Sequence, residues 1–375
     1  MKLHVAILHT APSVRDYRMA IAAMRLCPEI RFTTVLEHEQ YNRTFQTLGH
    51  QFAPICYWRT APRTWMGKVY YHLISARPAG RDLRNLLDGM GIHVVHSQNY
   101  EHLGYFAVKY AGRPVIHDVS DFYSIFPRNQ EQPSRRILGP LDTVKRWRRL
   151  WLEKYVLERA DGLTFNSPVM LRLAQERYSI TGETLVIPNA VPEEDMPYSF
   201  LPRLSAQDGS THTVFVGHIN GPKLNRLVEI ANRGVHVHLY TLQKNAFRQT
   251  LVETCTSHSY LHWHDALPYK SLLKELTQYD FGLVLWYEEA KEPFFQASLP
   301  SKLFDYLAAG LPVVVGPFQA LTEFVRQHQC GFVLYDDNEL PDKLREVYTV
   351  GDRRKYTMEY YIRPLVALYR RLASG

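Results

Sequence analysis

Residues 300–314 read PSKLFDYLAAGLPVV, and this run decides the fold class. Ser301 is placed to cap a helix, Leu303 and Leu307 fall on one face of it, and Gly310 is placed to end it. Val313, Val314 and Val315 then predict a buried strand. A helix that starts out of a loop presents free backbone N–H groups and carries roughly half a positive charge at that end, which suits an anion. Lys302 stands in the first turn, where a cation opposes the dipole unless an anion is present. Asp305, one turn on, is placed to accept hydrogen bonds from a diol. The combination suits a ligand that carries a diphosphate beside a ribose.

Working outward, 375 residues predict two α/β domains, and 46% hydrophobic with 22% charged residues can build full cores. Short apolar runs recur with helical spacing between them. In the first half they are 3–8, 32–36, 92–96, 114–117, 163–165 and 185–187; in the second, 213–217, 235–240, 260–263, 281–285, 313–315 and 332–334. Strands alternating with helices imply two parallel, doubly wound sheets, whose ligands bind beyond the carboxyl ends of the strands. Residues 188–210 hold four prolines and polar, acidic runs, which reads as a linker over 193–210 between domains at 1–192 and 211–352. The four cysteines are scattered with no C-x-x-C, which fits a reducing cytoplasm and neither a disulfide framework nor a zinc site. The start, MKLHVAIL, is too short and too polar for a signal peptide, and no run approaches the roughly 20 apolar residues of a spanning helix.

Residues 300–314 also resemble the nucleotide-sugar motif of GT-B glycosyltransferases, family 4 above all, in which P-x-K-x-x-E-Y-L-A-x-G-x-P-V-V recurs. The resemblance implies two Rossmann-like domains facing a cleft, with a last helix over 353–375 crossing back to the first. It implies that Asp305, where Glu is usual, holds the ribose hydroxyls, and that Ser301, Lys302 and Leu303 at the helix start face the diphosphate. The loop at 216–223, VGHINGPK, resembles the family's basic phosphate loop. Gly217 lets the backbone approach a ligand, His218 stands where Arg is usual, and Lys223 and Lys302 remain as the cations. His218 also reads as an ordinary loop histidine. Trp263 and Tyr269 lie in the segment that borders the nucleobase in the family and are able to stack on it; core packing is the other reading for Trp263. The family's sugar-contacting Glu is Ala297 here, leaving Gln296, Ser298 or Glu292 as substitutes. His262, His264 and Asp265 cannot converge from one strand end, so no zinc site is expected there, and no metal or other cofactor is expected beside a UDP- or GDP-sugar donor.

The first half is expected to hold the acceptor. Arg18 stands close to the family's D-x-R position and reads as a phosphate contact or an interhelical ion pair. The segment around His96 resembles V-V-H-x-H, with Gln98 at the second His, and His96 also reads as a core histidine. His117 and Asp118 end a strand and are expected to orient the acceptor or the sugar, His117 as a base near its ordinary pKa of about 6.5. A retaining reaction needs no strong base, since the departing diphosphate oxygen takes the acceptor proton. The segments ERADGLTFNSP at 158–168 and VIPNAV at 186–191 resemble architectural parts of the family.

Net charge is +7, and all of it lies in residues 1–205, with 26 Lys/Arg against 19 Asp/Glu; residues 206–375 balance at 18 and 18. Residues 135–152 place Val144, Trp147 and Trp151 on one helix face among arginines and Lys145, and residues 58–71 form a second aromatic–basic stretch. Such patterns suit an anionic membrane surface. The expectation is a peripheral enzyme at the inner membrane face that glycosylates a lipid-linked or polysaccharide acceptor. A nucleic-acid binder is disfavoured because no known motif appears, and a dinucleotide oxidoreductase because no G-x-G-x-x-G follows the first strand. A GT-B epimerase acting on a free sugar nucleotide and a non-catalytic GT-B-like binding subunit remain as alternatives.

Overall fold

The computed structural model describes residues 2–9, 13–36, 55–58, 76–98, 101–119, 122–125, 140–243, 247–285 and 293–374. They form two compact units: residues 1–188 with 361–375, and residues 189–360. The second aromatic–basic stretch beyond Trp58, Arg135, Arg136 and Glu292 lie outside the described residues.

The first unit holds strands β1 (Leu3–His9), β2 (Ile30–Leu36), β3 (Ile55–Tyr57), β4 (Val94–Gln98), β5 (Val115–Val119), β6 (Gly162–Phe165) and β7 (Glu183–Val186), all parallel, in the order 3-2-1-4-5-6-7. The order reverses direction between β1 and β4, the place where a doubly wound sheet opens a crevice. Every residue of β1 is buried, as both faces are covered. The helix Val14–Leu26 begins directly beyond β1, with Ser13 and Asp16 closing a capping box. Sequence patterning anticipated every described strand except β3.

The second unit repeats the plan with β8 (His212–Val216), β9 (His236–Tyr240), β10 (Leu261–His264), β11 (Phe281–Val284), β12 (Val313–Val315) and β13 (Gly331–Val333), in the parallel order 10-9-8-11-12-13. Its core packs Phe215, Leu227, Leu239, Leu261 and Leu283 on one face of the sheet. Residues 193–210, read as a linker, fold into this unit: Leu201 N donates to Thr277 Oγ1 at 3.0 Å, and Ser205 Oγ donates to Asp280 Oδ1 at 2.6 Å. The prolines here mark an irregular path and not a free tether.

The last helix, Met358–Ser374, contains Pro364, which has no N–H to return to the carbonyl of Tyr360, the last residue of the second unit. From Tyr361 on, the helix packs in the first unit. Leu368 lies over Gly162, Arg371 pairs with Glu183, and the Tyr369 hydroxyl meets His96 Nδ1.

A buried ion pair ties the carboxyl ends of β1 and β5 together. Arg15 donates from Nε to Asp118 Oδ2 at 2.7 Å and from Nη2 to Oδ1 at 2.6 Å, and Thr164 donates to the same carboxylate. Burial works against the Asp118 charge, but the guanidinium and its hydrogen bonds outweigh it and hold the carboxyl below its ordinary range. Removing one partner leaves the other charge buried and uncompensated. Arg15→Ala is therefore expected to destabilise the first unit by about 3–5 kcal/mol, read as an earlier unfolding transition in urea by circular dichroism. A shift below about 1 kcal/mol would show that water already screens the pair.

Candidate functional site

Most of the residues anticipated for donor binding meet at the carboxyl ends of β8 and β11. The helix Ser301–Ala308 is anchored through Tyr306, whose fully buried hydroxyl accepts from Val216 N at 2.9 Å and points at Leu283 O. Its ring lies flat on Gly282, where a Cβ would collide with it. Gly282 in β11 thus sets the depth of the helix Ser301–Ala308, which follows that strand. Ser301 is not the cap. It is the first helical residue, Pro300 occupies the N-cap position, and no side chain closes the first turn. Pro suits a position where φ is fixed and no donor is needed, and the amide groups behind it stay uncapped. Gly310, at φ +79°, ends the run as expected.

Lys302 folds back from that first turn. Its ammonium stands 4.0 Å from the Phe215 ring centroid and would lie 2.9 Å from a Cβ built on Gly217. Gly217 has φ +131°, a conformation that favours glycine, so two constraints converge on one position. Lys223 lies in the first turn of the helix Gly221–Ala231, whose cap is the Asn220 side chain, accepting from Lys223 N at 3.1 Å. Burial, then the charge of Lys223, pulls the Lys302 pKa down to about 7, against the pull of Asp305. Asp305 is buried, and Tyr269, expected to stack on a base, instead donates its hydroxyl to Asp305 Oδ1 at 2.7 Å.

Beside this cluster lies a cavity of about 340 Å³ bordered by Val216, Gly217, His218, Tyr240, Thr241 and Leu272. Thr241 is buried, and its hydroxyl has no hydrogen-bond partner among the described residues. Tyr240 and Thr241 escaped the sequence reading. The signal available was their place at the end of β9, next to β8.

Other anticipated residues stand elsewhere. Trp263 belongs to the core face of its strand, packs on the second unit's core and is covered by Arg248 at 5.6 Å, so it does not border the cavity. Ala297 is fully buried. Its proposed substitutes are engaged, Gln296 Oε1 accepting from Gln319 N at 2.8 Å and Ser298 Oγ donating to Phe294 O at 2.6 Å.

In the first unit His117 and Asp118 do not act as a pair. Neighbouring strand residues point to opposite faces, so Asp118 turns to Arg15 while His117 turns to the helix Glu101–Tyr110, with Nδ1 bonded to Ser97 Oγ at 2.8 Å and its ring against Gly104. Burial pushes His117 down to about 4, which corrects the expected value near 6.5. His96 is likewise pushed to about 4 by burial and is a neutral core histidine held by Tyr369. Arg18 and Gln98 are buried as well, Gln98 on the same strand face as His96 and Asp118.

The helix Pro140–Leu157 turns Leu152, Val156 and Leu157 inward and leaves Val144, Trp147 and Trp151 exposed at 61%, 68% and 44%. The alternative of buried tryptophans is thereby removed. No helix among the described residues is long and apolar enough to cross a membrane.

Residues 34–195 match the model of Glycosyltransferase Family 4, and residues 214–356 match Glucosyltransferase 3-like, C-terminal domain. No curated protein matches the chain in sequence. Among solved structures, sucrose-phosphate synthase from Thermosynechococcus elongatus is 16% identical with a TM-score of 0.59, covering 99% of this chain and 96% of that one. Anabaena HepE, solved in complex with UDP and glucose, is 14% identical with a TM-score of 0.58, covering 99% and 97%. A putative UDP-N-acetylglucosamine 2-epimerase from Listeria monocytogenes is 12% identical with a TM-score of 0.56, covering 100% and 98%. These likenesses carry the fold and the two family models carry the activity class: the chain is a glycosyltransferase of the GT-B fold, with a family 4 domain followed by a glucosyltransferase 3-like domain.

Proposed function

We propose that this enzyme moves a sugar from a UDP- or GDP-sugar, held by the second unit, to an acceptor bound by the first. The observation that carries the reading is the convergence of Lys302, Lys223, Gly217 and Asp305 around an uncapped helix start. Two ammonium groups and the amide end of the helix answer a diphosphate, so no metal is invoked for that role. The Asp305 carboxylate answers a ribose diol, with Tyr269 holding its other oxygen in place. The 340 Å³ cavity beside Gly217 has the size for a base, with the Thr241 hydroxyl as a ready polar contact. The reaction is proposed to retain configuration, because the buried, engaged Asp118 and His117 leave no strong base among the described residues at the end of β5.

The acceptor is proposed to be lipid-linked, in cell-surface glycan synthesis, with the enzyme docked on the anionic inner face of a membrane. The exposed Val144, Trp147 and Trp151, flanked by Arg146, Arg148 and Arg149 in the half that carries the whole positive excess, support this reading. Aromatic rings settle at the lipid interface while neighbouring cations meet the headgroups, each contributing about 1 kcal/mol. It also separates this enzyme from an epimerase, which needs no acceptor surface.

Calorimetric titration of UDP and GDP tests the donor site. Asp305→Ala is expected to weaken binding by about 1.5–3 kcal/mol, one to two decades, with the fold intact; unchanged affinity would refute the assignment. Because Lys302 titrates near 7 and a bound diphosphate raises it, affinity should decline by up to about tenfold per pH unit above pH 7. Binding at pH 8 should take up a proton, seen as a dependence of heat on buffer ionisation enthalpy, and Lys302→Met should remove both effects. Trp147→Ala/Trp151→Ala should lower sedimentation with phosphatidylglycerol vesicles at least tenfold while leaving nucleotide binding unchanged. Equal sedimentation of the variant would end the membrane reading.

A further inference from the structure

The second unit carries an array of histidines that the donor site does not use. In the parallel register His212 pairs with His236, His238 with His262, and Tyr240 with His264, all on the sheet face opposite the core. Their rings stack across the strands, His212 on His236 at 4.4 Å and His238 on His262 at 4.5 Å. Hydrogen bonds run diagonally through the stack. His212 Nδ1 meets His238 Nε2 at 2.9 Å, His238 Nδ1 meets His264 Nε2 at 2.8 Å, and His236 Nδ1 meets His262 Nε2 at 2.8 Å. At the amino ends of β8 and β9, the carboxylate of Asp208 reaches His212 Nε2 at 3.0 Å. One ligand atom each from Asp208, His212 and His236 lies within 4.8 Å of the others.

We infer that Asp208, His212 and His236 form a binding site for a divalent transition-metal ion of the zinc class, remote from the donor cavity. Two imidazoles and one carboxylate are the donor set such ions take, with water completing the tetrahedron. Both histidines are prepared as ligands. The Nδ1 of each is engaged by a further imidazole, His238 behind His212 and His262 behind His236, which orients the ring as a second shell does at metal sites. With metal on His212 Nε2, its Nδ1–H donates to His238, so the ion selects one direction of hydrogen bonding along the row. Asp208 is steered by Ser210 N, which donates to its Oδ1 at 2.8 Å, leaving Oδ2 toward the histidines. Ligand atoms in a tetrahedral zinc site stand about 3.4 Å apart for bonds of about 2.0–2.1 Å. Asp208 Oδ2 and His212 Nε2 already stand 3.0 Å apart, and closing a separation of up to 4.8 Å to His236 asks for about 1.4 Å of movement at most, shared between side-chain rotations and the half-exposed Asp208, last residue of the four-residue helix Ser205–Asp208. The ion would clamp that helix to the first residues of two strands. His212 and His236 begin their strands, whereas the donor cavity lies at the ends of the same strands, at Val216 and Tyr240.

The test uses the full chain without an affinity tag, stripped with EDTA and dialysed. Titration with zinc chloride by calorimetry, and with cobalt chloride by visible absorption, should give one ion per chain at micromolar affinity or tighter and a raised Tm. Asp208→Ala, at an exposed position that leaves the core untouched, and His236→Ala should each weaken binding at least tenfold. Nucleotide binding should be unaffected, which separates this site from the donor site. No binding at 100 µM zinc, or binding that Asp208→Ala leaves unchanged, would overturn the inference.

Discussion

The second unit is organised around a cation that the fold holds without a full counter-charge. Lys302 sits at the positive end of its own helix, against an aromatic ring and within the field of Lys223. The helix end, its burial and Lys223 work against the ammonium charge, and only the ring and Asp305 favour it. The arrangement persists because packing elsewhere over-determines it: Tyr306 is pinned to β8 and β11, Gly282 makes room for its ring, and Gly217 makes room for the lysine. A diphosphate bound here, as proposed, would relieve repulsion as well as form bonds.

The first unit uses similar residue types for a different purpose. Its polar groups at the strand ends are paired with each other inside the fold. Arg15 and Asp118 close one side, His117 and Ser97 meet on the other, and His96 meets the last helix. Among its described residues, the most exposed large apolar side chains lie on a helix surface, at Val144, Trp147 and Trp151. The histidines show how little the residue type decides alone. Two are neutral members of the first unit's core, and five line one face of the second sheet in hydrogen-bonded rows.

Much of this was legible in the chain. Twelve strands follow from apolar runs and their spacing, because a parallel strand covered on both faces must be apolar along its length. The helix at 301–308 and its stop at Gly310 follow from local preference. The donor cluster was legible as a set of residues, since each part lies at the end of a strand or the start of a helix. Ser301 as cap and Trp263 beside the cavity went astray because where a helix starts and which face of a strand meets the core are not fixed by local sequence.

Sequence by itself therefore determined the alternation of strands and helices, the doubly wound class, the family resemblance and the helix at 301–308. These depend on periodicity and on the backbone preferences of Gly and Pro, which act over a few residues. Tertiary structure alone decided that Arg15 finds Asp118 across 103 positions, that Tyr240 and Thr241 border a cavity, and that Asp208, His212 and His236 gather at the amino ends of β8 and β9. Those facts follow from strand order and register, and a shift of one residue in pairing would turn every such side chain to the other face.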